Sequence, residues 1–159
     1  QDVVKIFAEV NKQVPSKLLF VGDGPERSTA EDLARELGVC DEIRFVGKQE
    51  QMEDILAIAD LFLLTSEYES FGLAALEAMA AGVPVVSTNA GGLGEINIPG
   101  ETGYLSNVGD VTAMSEQALS ILKNDATLKK FKEQSAIHAR KFDIAKIVPL
   151  YEKLYEKFL

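Results

Sequence analysis

Near the start of the chain Val3, Val4, Phe7 and Val10 recur at three- and four-residue intervals, with Lys5, Glu9 and Lys12 between them, which predicts a helix with one buried stripe. Pro15 and Ser16 end it. Lys17–Val21 (KLLFV) is a short apolar run closed by Gly22 and reads as a strand covered on both faces. A helix over 26–37 follows, closed by Leu37-Gly38, then a strand over Ile43–Val46 ending at Gly47 and a short helix over roughly 50–59. Leu61–Thr65 predicts a buried strand, 72–81 an Ala-rich helix, and Val83–Ser87 a strand opened by Pro84. After Gly103-Tyr104-Leu105 the pattern is helical: 111–123 with Asp110 as N-cap, 126–140 with Asp125, and 143–158 interrupted by Pro149.

Strands that are apolar throughout, alternating with helices, are the signature of βαβ units joined by right-handed crossovers. The expected class is therefore α/β, a doubly wound, mostly parallel sheet with a helical C-terminal tail, in one domain over 1–159. A helix without a cap at residue 1, in a fold that ordinarily opens with a strand, sets the expectation of a chain cut from a longer protein. The tail carries an apolar stripe, Ile144, Ile147, Val148, Tyr151, Leu154, Tyr155 and Phe158, whose helical spacing ordinarily means core. With part of the protein elsewhere, the stripe could instead be open and pair two chains into a homo-oligomer.

Composition narrows the functional classes. With 47% apolar and 26% charged residues, the chain can bury a full core. A formal net charge of -9 argues against non-specific binding to nucleic acid or anionic membrane. One Cys (Cys40) and one His (His138) leave no disulfide framework, no Cys/His zinc site built within the chain, and no complete Cys-His or Ser-His-Asp apparatus placed on the loops. Cys40 reads as inert and His138 as a plain surface or packing residue. The longest apolar runs, Leu61–Leu64 and Ala78–Ala81, fall far short of the ~20 residues that span a bilayer, so no integral membrane segment and a reducing, cytoplasmic setting are expected.

In open α/β sheets ligands bind beyond the carboxyl ends of the strands, which directs attention to Gly22–Arg27, Gly47–Gln51, Ser66–Glu77 and Asn89–Glu95. Gly22-Asp23-Gly24-Pro25 allows close approach of a ligand or makes a tight turn; Arg27 stands where a dinucleotide fingerprint has its third glycine. Gly47-Lys48 could read the edge of a base through main-chain groups, or simply turn the chain. The richest stretch is Thr65-Ser66-Glu67-Tyr68-Glu69-Ser70-Phe71-Gly72, leading into the Ala-rich helix. Its first turn presents unpaired N–H groups near Phe71, Gly72 and Leu73, an anion site. Residues 49–122 hold eleven carboxylates and no Lys or Arg, so at that helix start either backbone amides suffice for a diphosphate or Lys and Arg are supplied by chain beyond this sequence.

Glu69 and Glu77 flank the turn. Placed on one helix, eight residues at ~1.5 Å rise would set them roughly 12 Å apart, beyond the ~5–9.5 Å of paired glycosidase carboxylates. They either serve different parts of one ligand, as acceptors for vicinal hydroxyls, or are solvated charges.

The run Glu69-Ser70-Phe71-Gly72-Leu73, then Glu77-Ala78-Met79-Ala80, Gly82-Val83-Pro84-Val85-Val86, Gly91-Gly92 with Glu95, and Gly100-x-x-Gly103, resembles the C-terminal half of retaining GT-B glycosyltransferases with a Glu-x7-Glu motif. Val21-Gly22-Asp23-Gly24-Pro25-Glu26 and Phe45-Val46-Gly47 extend the resemblance along nearly the whole chain. Within that family, Val14–Leu19, Gly47-Lys48-Gln49, Ser66–Leu73 and Leu105–Asp110 are most similar to the branch that transfers N-acetylglucosamine from UDP-GlcNAc to L-malate on the route to bacillithiol. The resemblance implies a Rossmann-like donor-binding domain in which Glu69 faces the transferred sugar. Ser70 and the amides of Phe71, Gly72 and Leu73 would meet sugar and diphosphate, Glu77 would hold the ribose hydroxyls, and Gly22, Gly47 and Lys48 would lie near the nucleotide, Gly47-Lys48 against uracil.

It further implies partners: a nucleotide-sugar donor, and an N-terminal acceptor domain and first strand that this stretch lacks, with an Arg and a Lys for the phosphates on that segment. Transfer would run on one face with retention. Neither cofactor nor metal is expected, since the sequence has no Asp-x-Asp. Gly94 departs from the family's Pro, which leaves a role for Glu95 open.

Overall fold

The computed structural model describes residues 1–158. In chain order the elements are α1 (Asp2–Asn11), β1 (Leu18–Val21), α2 (Arg27–Glu36), β2 (Ile43–Gly47), α3 (Met52–Ala57), β3 (Phe62–Leu64), α4 (Leu73–Ala80), β4 (Val85–Thr88), α5 (Leu93–Ile96), β5 (Gly103–Ser106), α6 (Val111–Leu122), α7 (Asp125–Ala139) and α8 (Ile144–Tyr155). The strand pairs are parallel and form two ladders, β1–β2 and β3–β4–β5. Leu18 lies opposite Ile43 in the first, and Phe62 opposite Val85, itself opposite Gly103, in the second.

The continuous apolar runs arise because the larger ladder is covered on both sides. Phe62, Leu64, Val85 and Leu105 join Ala75, Ala78 and Met79 of α4 and Leu93 and Ile96 of α5 in one core. The alternate positions, Leu61, Leu63, Val86 and Tyr104, join Ile6 and Val10 of α1 and Met114, Ala118 and Ile121 of α6 in another. Helices on opposite faces of a parallel sheet make the fold doubly wound and Rossmann-like, as the alternation predicts.

The smaller ladder departs from expectation. Leu18, Phe20, Ile43 and Phe45 pack against Val4, Phe7 and Ala8 of α1 and Ala30 and Ala34 of α2, with the Phe20 and Phe45 rings stacked at 4.9 Å. Leu19, which alternation turns the other way, is 40% exposed, so β1 is covered on one face and not on both. Helix α1 serves both ladders, Ile6 and Val10 facing the larger and Val4, Phe7 and Ala8 the smaller, which is why its buried surface is wider than one stripe.

Asp110 caps α6 as expected, accepting the Ala113 N–H at 3.0 Å. The cap of α7 is Asn124 in place of Asp125: the Asn124 side-chain oxygen accepts the Thr127 N–H at 3.0 Å, and Asp125 occupies the first turn, where its charge complements the helix dipole. Helix α8 buries none of its residues, so its stripe is surface and not core. Among the described residues no helix is long and apolar enough to cross a membrane.

Candidate functional site

Strong helix formers, Leu-Ala-Ala-Leu-Glu-Ala-Met-Ala, begin α4 directly after Gly72. Gly72 adopts φ 95° and ψ 42°, and a Cβ there would lie 2.7 Å from Leu93 Cδ2 and 3.0 Å from Ile96 Cδ1. Backbone conformation and the packing of α5 both require glycine. The Gly72 N–H donates to the Glu69 carboxylate at 3.2 Å, and the first bond of the helix runs from the Leu76 N–H to the Gly72 carbonyl at 3.0 Å. The N–H groups of Leu73, Ala74 and Ala75 carry no hydrogen bond among the described residues. The free donors thus begin at Leu73, while Phe71 precedes the helix and the Gly72 N–H is engaged by Glu69.

The loop before α4 rests on backbone. The Gly92 N–H donates to the Glu69 carbonyl at 3.3 Å. A Cβ on Gly91, where φ is +50°, would fall 1.6 Å from that carbonyl oxygen, and one on Gly92 would fall 2.7 Å from Phe71 Cα. Thr88 Oγ1 donates to the Ser66 carbonyl at 2.6 Å, tying the end of β4 to the start of the loop. These supports were not assignable from sequence, since Gly91-Gly92 signals only a turn until its neighbour is known.

Glu69 is half-buried in the loop while Glu77 is exposed on α4, so the two do not share a helix and the helical spacing of the pair does not apply. Glu77 lines a groove of about 300 Å³ between α4 and the end of α7, with Leu73, Leu76, Arg140, Phe142 and Asp143. Arg140 is exposed and in no ion pair among the described residues, a cation brought beside α4 from a distant part of the chain. Ser70 is exposed; Phe71 is half-buried and meets Phe142 edge-on, ring centroids 6.2 Å apart.

Gly22 and Gly47 meet at the ends of β1 and β2, where the Gly22 N–H donates to the Gly47 carbonyl at 2.8 Å. Lys48 follows, exposed and in no ion pair among the described residues. No hydrogen bond among the described residues links this pair of turns to the Glu69–Gly72 cluster. Arg27 donates to Glu31 at 2.8 Å, and that bond raises its pKa further, so its charge is committed within α2. Glu95 is exposed in α5.

Chemically, unbonded N–H groups on the exposed Leu73 and Ala74 can donate to an anion, and carboxylates before the helix and one turn in can accept from hydroxyls. Comparison with known proteins bears on the kind. The pattern of the family "Glycosyl transferases group 1" matches residues 1–138. Over 98% of its length the chain is 45% identical to N-acetyl-alpha-D-glucosaminyl L-malate synthase of Bacillus anthracis, spanning 41% of that protein. It is 33% identical, over 90% of its length, to 2-deoxystreptamine N-acetyl-D-glucosaminyltransferase of Niallia circulans, spanning 38% of that protein. The chain thus spans about two fifths of the length of these curated relatives.

Among solved structures, sucrose-phosphate synthase from Thermosynechococcus elongatus superposes with a TM-score of 0.86 at 30% identity, over 98% of this chain and 42% of that one. A pneumococcal O-GlcNAc transferase in complex with UDP and GlcNAc superposes at 0.87 and 22% identity, over 98% of this chain and 32% of that one, a likeness of fold. With the Rossmann-like layers, the α4 start and the matching pattern in one polypeptide, this chain belongs to the group 1 glycosyl transferases of GT-B fold.

Proposed function

We propose that this chain is the donor-binding half of a retaining glycosyltransferase that passes N-acetylglucosamine from UDP-GlcNAc to L-malate, a step toward bacillithiol. The reading is carried by one observation: the unbonded N–H groups of Leu73 and Ala74, both exposed residues, open α4 between two carboxylates, Glu69 and Glu77. The diphosphate sits on these amides, Glu77 accepts from ribose hydroxyls, and Glu69 gives up the Gly72 amide to accept from the transferred sugar. Gly22, Gly47 and Lys48 lie toward the base, and Ser70 and Phe71 toward the sugar. As the diphosphate leaves, its growing charge is stabilised by amides that are already in place, and the acceptor hydroxyl attacks the same face. Neither a protein nucleophile nor a metal enters the scheme. The names of the two curated relatives share the N-acetylglucosaminyl group and differ in the other partner, so they support the sugar more firmly than malate; a different acceptor is the second reading.

The same proposal includes an acceptor domain and one more strand in the whole protein. Its support is the split sheet: β4 is buried throughout, whereas β1 and β3 are half-exposed while α1 packs across both ladders. A cytoplasmic setting belongs to the proposal too, consistent with a single exposed, unpaired Cys40. Calorimetric titration with UDP, ADP and GDP, repeated for Glu77→Ala, tests the core of it. UDP should bind with measurable heat that Glu77→Ala diminishes; equal and negligible heats for every nucleotide would overturn the assignment.

A further inference from the structure

Near the end of α7, His138 is only 7% exposed, and its Nε2 has no hydrogen-bond partner among the described residues. Its ring meets Phe142 edge-on with centroids 5.5 Å apart, and Phe142 in turn meets Phe71 at 6.2 Å. The backbone of Ile96 also lies near the imidazole, and its side chain shares one packed core with Phe142 and Phe71, its Cδ1 3.0 Å from where a Cβ of Gly72 would be. Two packed routes therefore lead from one imidazole to the two residues just before α4.

We infer that His138 is a positioning residue for the donor site: uncharged, it holds Phe142 and Ile96 against Phe71 and Gly72, and proton uptake loosens that hold and weakens anion binding at α4. The inference deepens the proposed donor-binding reading and rests on it for its ligand. Among the described residues no carboxylate is hydrogen-bonded to this imidazole. The charged groups that bear on it are Lys141 from the turn after α7 and Glu101 from the turn before β5, while α5 offers the Ile96 carbonyl. Across the groove beyond Phe142 stand Glu77 of α4, Arg140 and Asp143. Burial first, and then Lys141, hold the His138 pKa below its ordinary value, against the pull of the Ile96 carbonyl and Glu101. A second ring N–H with no acceptor must be hydrated, and water admitted at Nε2 parts the ring from its aromatic neighbour.

The test follows the imidazole and the backbone amides of Phe71, Gly72 and Leu73 by NMR between pH 8 and pH 5.5, in the chain and in His138→Gln. UDP is titrated at both ends of the range. The amides should shift with the midpoint of the imidazole and lose that shift in His138→Gln. Because the UDP terminal phosphate itself titrates near pH 6, the affinity readout is the difference between proteins: the unaltered chain should lose about three- to tenfold more affinity on acidification than the variant. Amides that stay flat while the imidazole titrates overturn the inference, whatever UDP does. Amides that titrate as expected in a chain that binds no UDP at any pH uphold the coupling and remove the donor reading. If His138→Gln does not fold, Phe142→Leu takes its place, and an amide titration that survives it overturns the aromatic route.

Discussion

The Glu69 carboxylate accepts the Gly72 amide at 3.2 Å, so an acidic side chain closes the start of the helix whose amides are proposed to receive a diphosphate. One anion occupies ground that a second would share. Glu69→Ala removes the carboxylate hydrogen bond to the Gly72 N–H, which costs about 1–3 kcal/mol of stability, and also removes a negative charge from the helix start, worth about 0.3–1 kcal/mol to an incoming anion. The variant should unfold at lower urea and bind UDP equally or up to about fivefold more tightly. Loss of UDP binding at unchanged stability would mean that Glu69 contacts the nucleotide in a way its bond to the Gly72 amide does not explain.

Gly91 offers a sharper contrast. A methyl group there collides with the Glu69 carbonyl oxygen at 1.6 Å, whereas at Gly109, also of positive φ, nothing lies within 4 Å. Gly109→Ala should cost only the strain of its backbone conformation, about 1–2 kcal/mol. Gly91→Ala adds displacement of the loop from Glu69 to Phe71, so its unfolding free energy should fall by more, about 3 kcal/mol or beyond, with loss of UDP binding. Equal losses at the two positions would show that the loop yields without cost.

The existence of α1 to α4 and of the first four strands was legible because each carries its own apolar rhythm, and strand boundaries moved by only a residue or two, as at Val85–Thr88. Helix α5 was not legible. Leu93–Ile96 is four residues long, too short for periodicity to register, and β5 carries no strand signal of its own because Gly103-Tyr104-Leu105 is likewise brief. The turn at Gly72 could be read as a helix start, since local sequence decides it. Its company could not: Arg140, Phe142 and His138 reach α4 only through the path of α7, and nothing in their neighbourhood in the sequence points there. The Asn124 cap was missed because Asn and Asp stand side by side and either satisfies the rule.

Asn97, fully enclosed at 1% exposure, donates to the Val85 and Tyr104 carbonyls at 3.0 Å each, and its side-chain oxygen accepts from Thr102 Oγ1 at 2.9 Å. It thereby holds the end of α5 to β4 and β5. Asn97→Ala strands several buried polar atoms at once, and each left unsatisfied costs about 1–3 kcal/mol, so a loss of roughly 2–4 kcal/mol is expected in urea unfolding. A loss under about 1 kcal/mol would mean that water replaces the side chain.

The depressed His138 pKa makes stability depend on pH with a definite sign. As pH falls below the ordinary histidine value near 6.5, the unfolded chain takes up the proton first and the native chain does not, so folding stability declines through that window and stops declining once the native pKa is passed. Above about pH 7.5 the contribution is complete. Urea unfolding at half-unit steps from pH 8 to pH 5 should show this fall in the chain and a flatter profile in His138→Gln. Parallel profiles would assign the acid sensitivity to other groups.

Helix α8 presents Ile144 at 76% exposure, Leu150 at 60% and Tyr155 at 63%, and buries none of its residues against the rest of the chain. A surface element without buried contacts adds little to folding free energy, because each exposed position contributes within about 0.5 kcal/mol. Ending the chain at Asp143 should therefore shift the unfolding free energy by no more than about 1 kcal/mol and leave the NMR signals of β4 and α4 in place. The same apolar stripe is large enough to seek another surface. Sedimentation of the unaltered chain should show association that grows with concentration and vanishes in the truncated form. A truncated chain that unfolds would instead place α8 inside the cooperative unit, against its exposure here, and a monomer at high concentration would leave the stripe to another part of the same polypeptide.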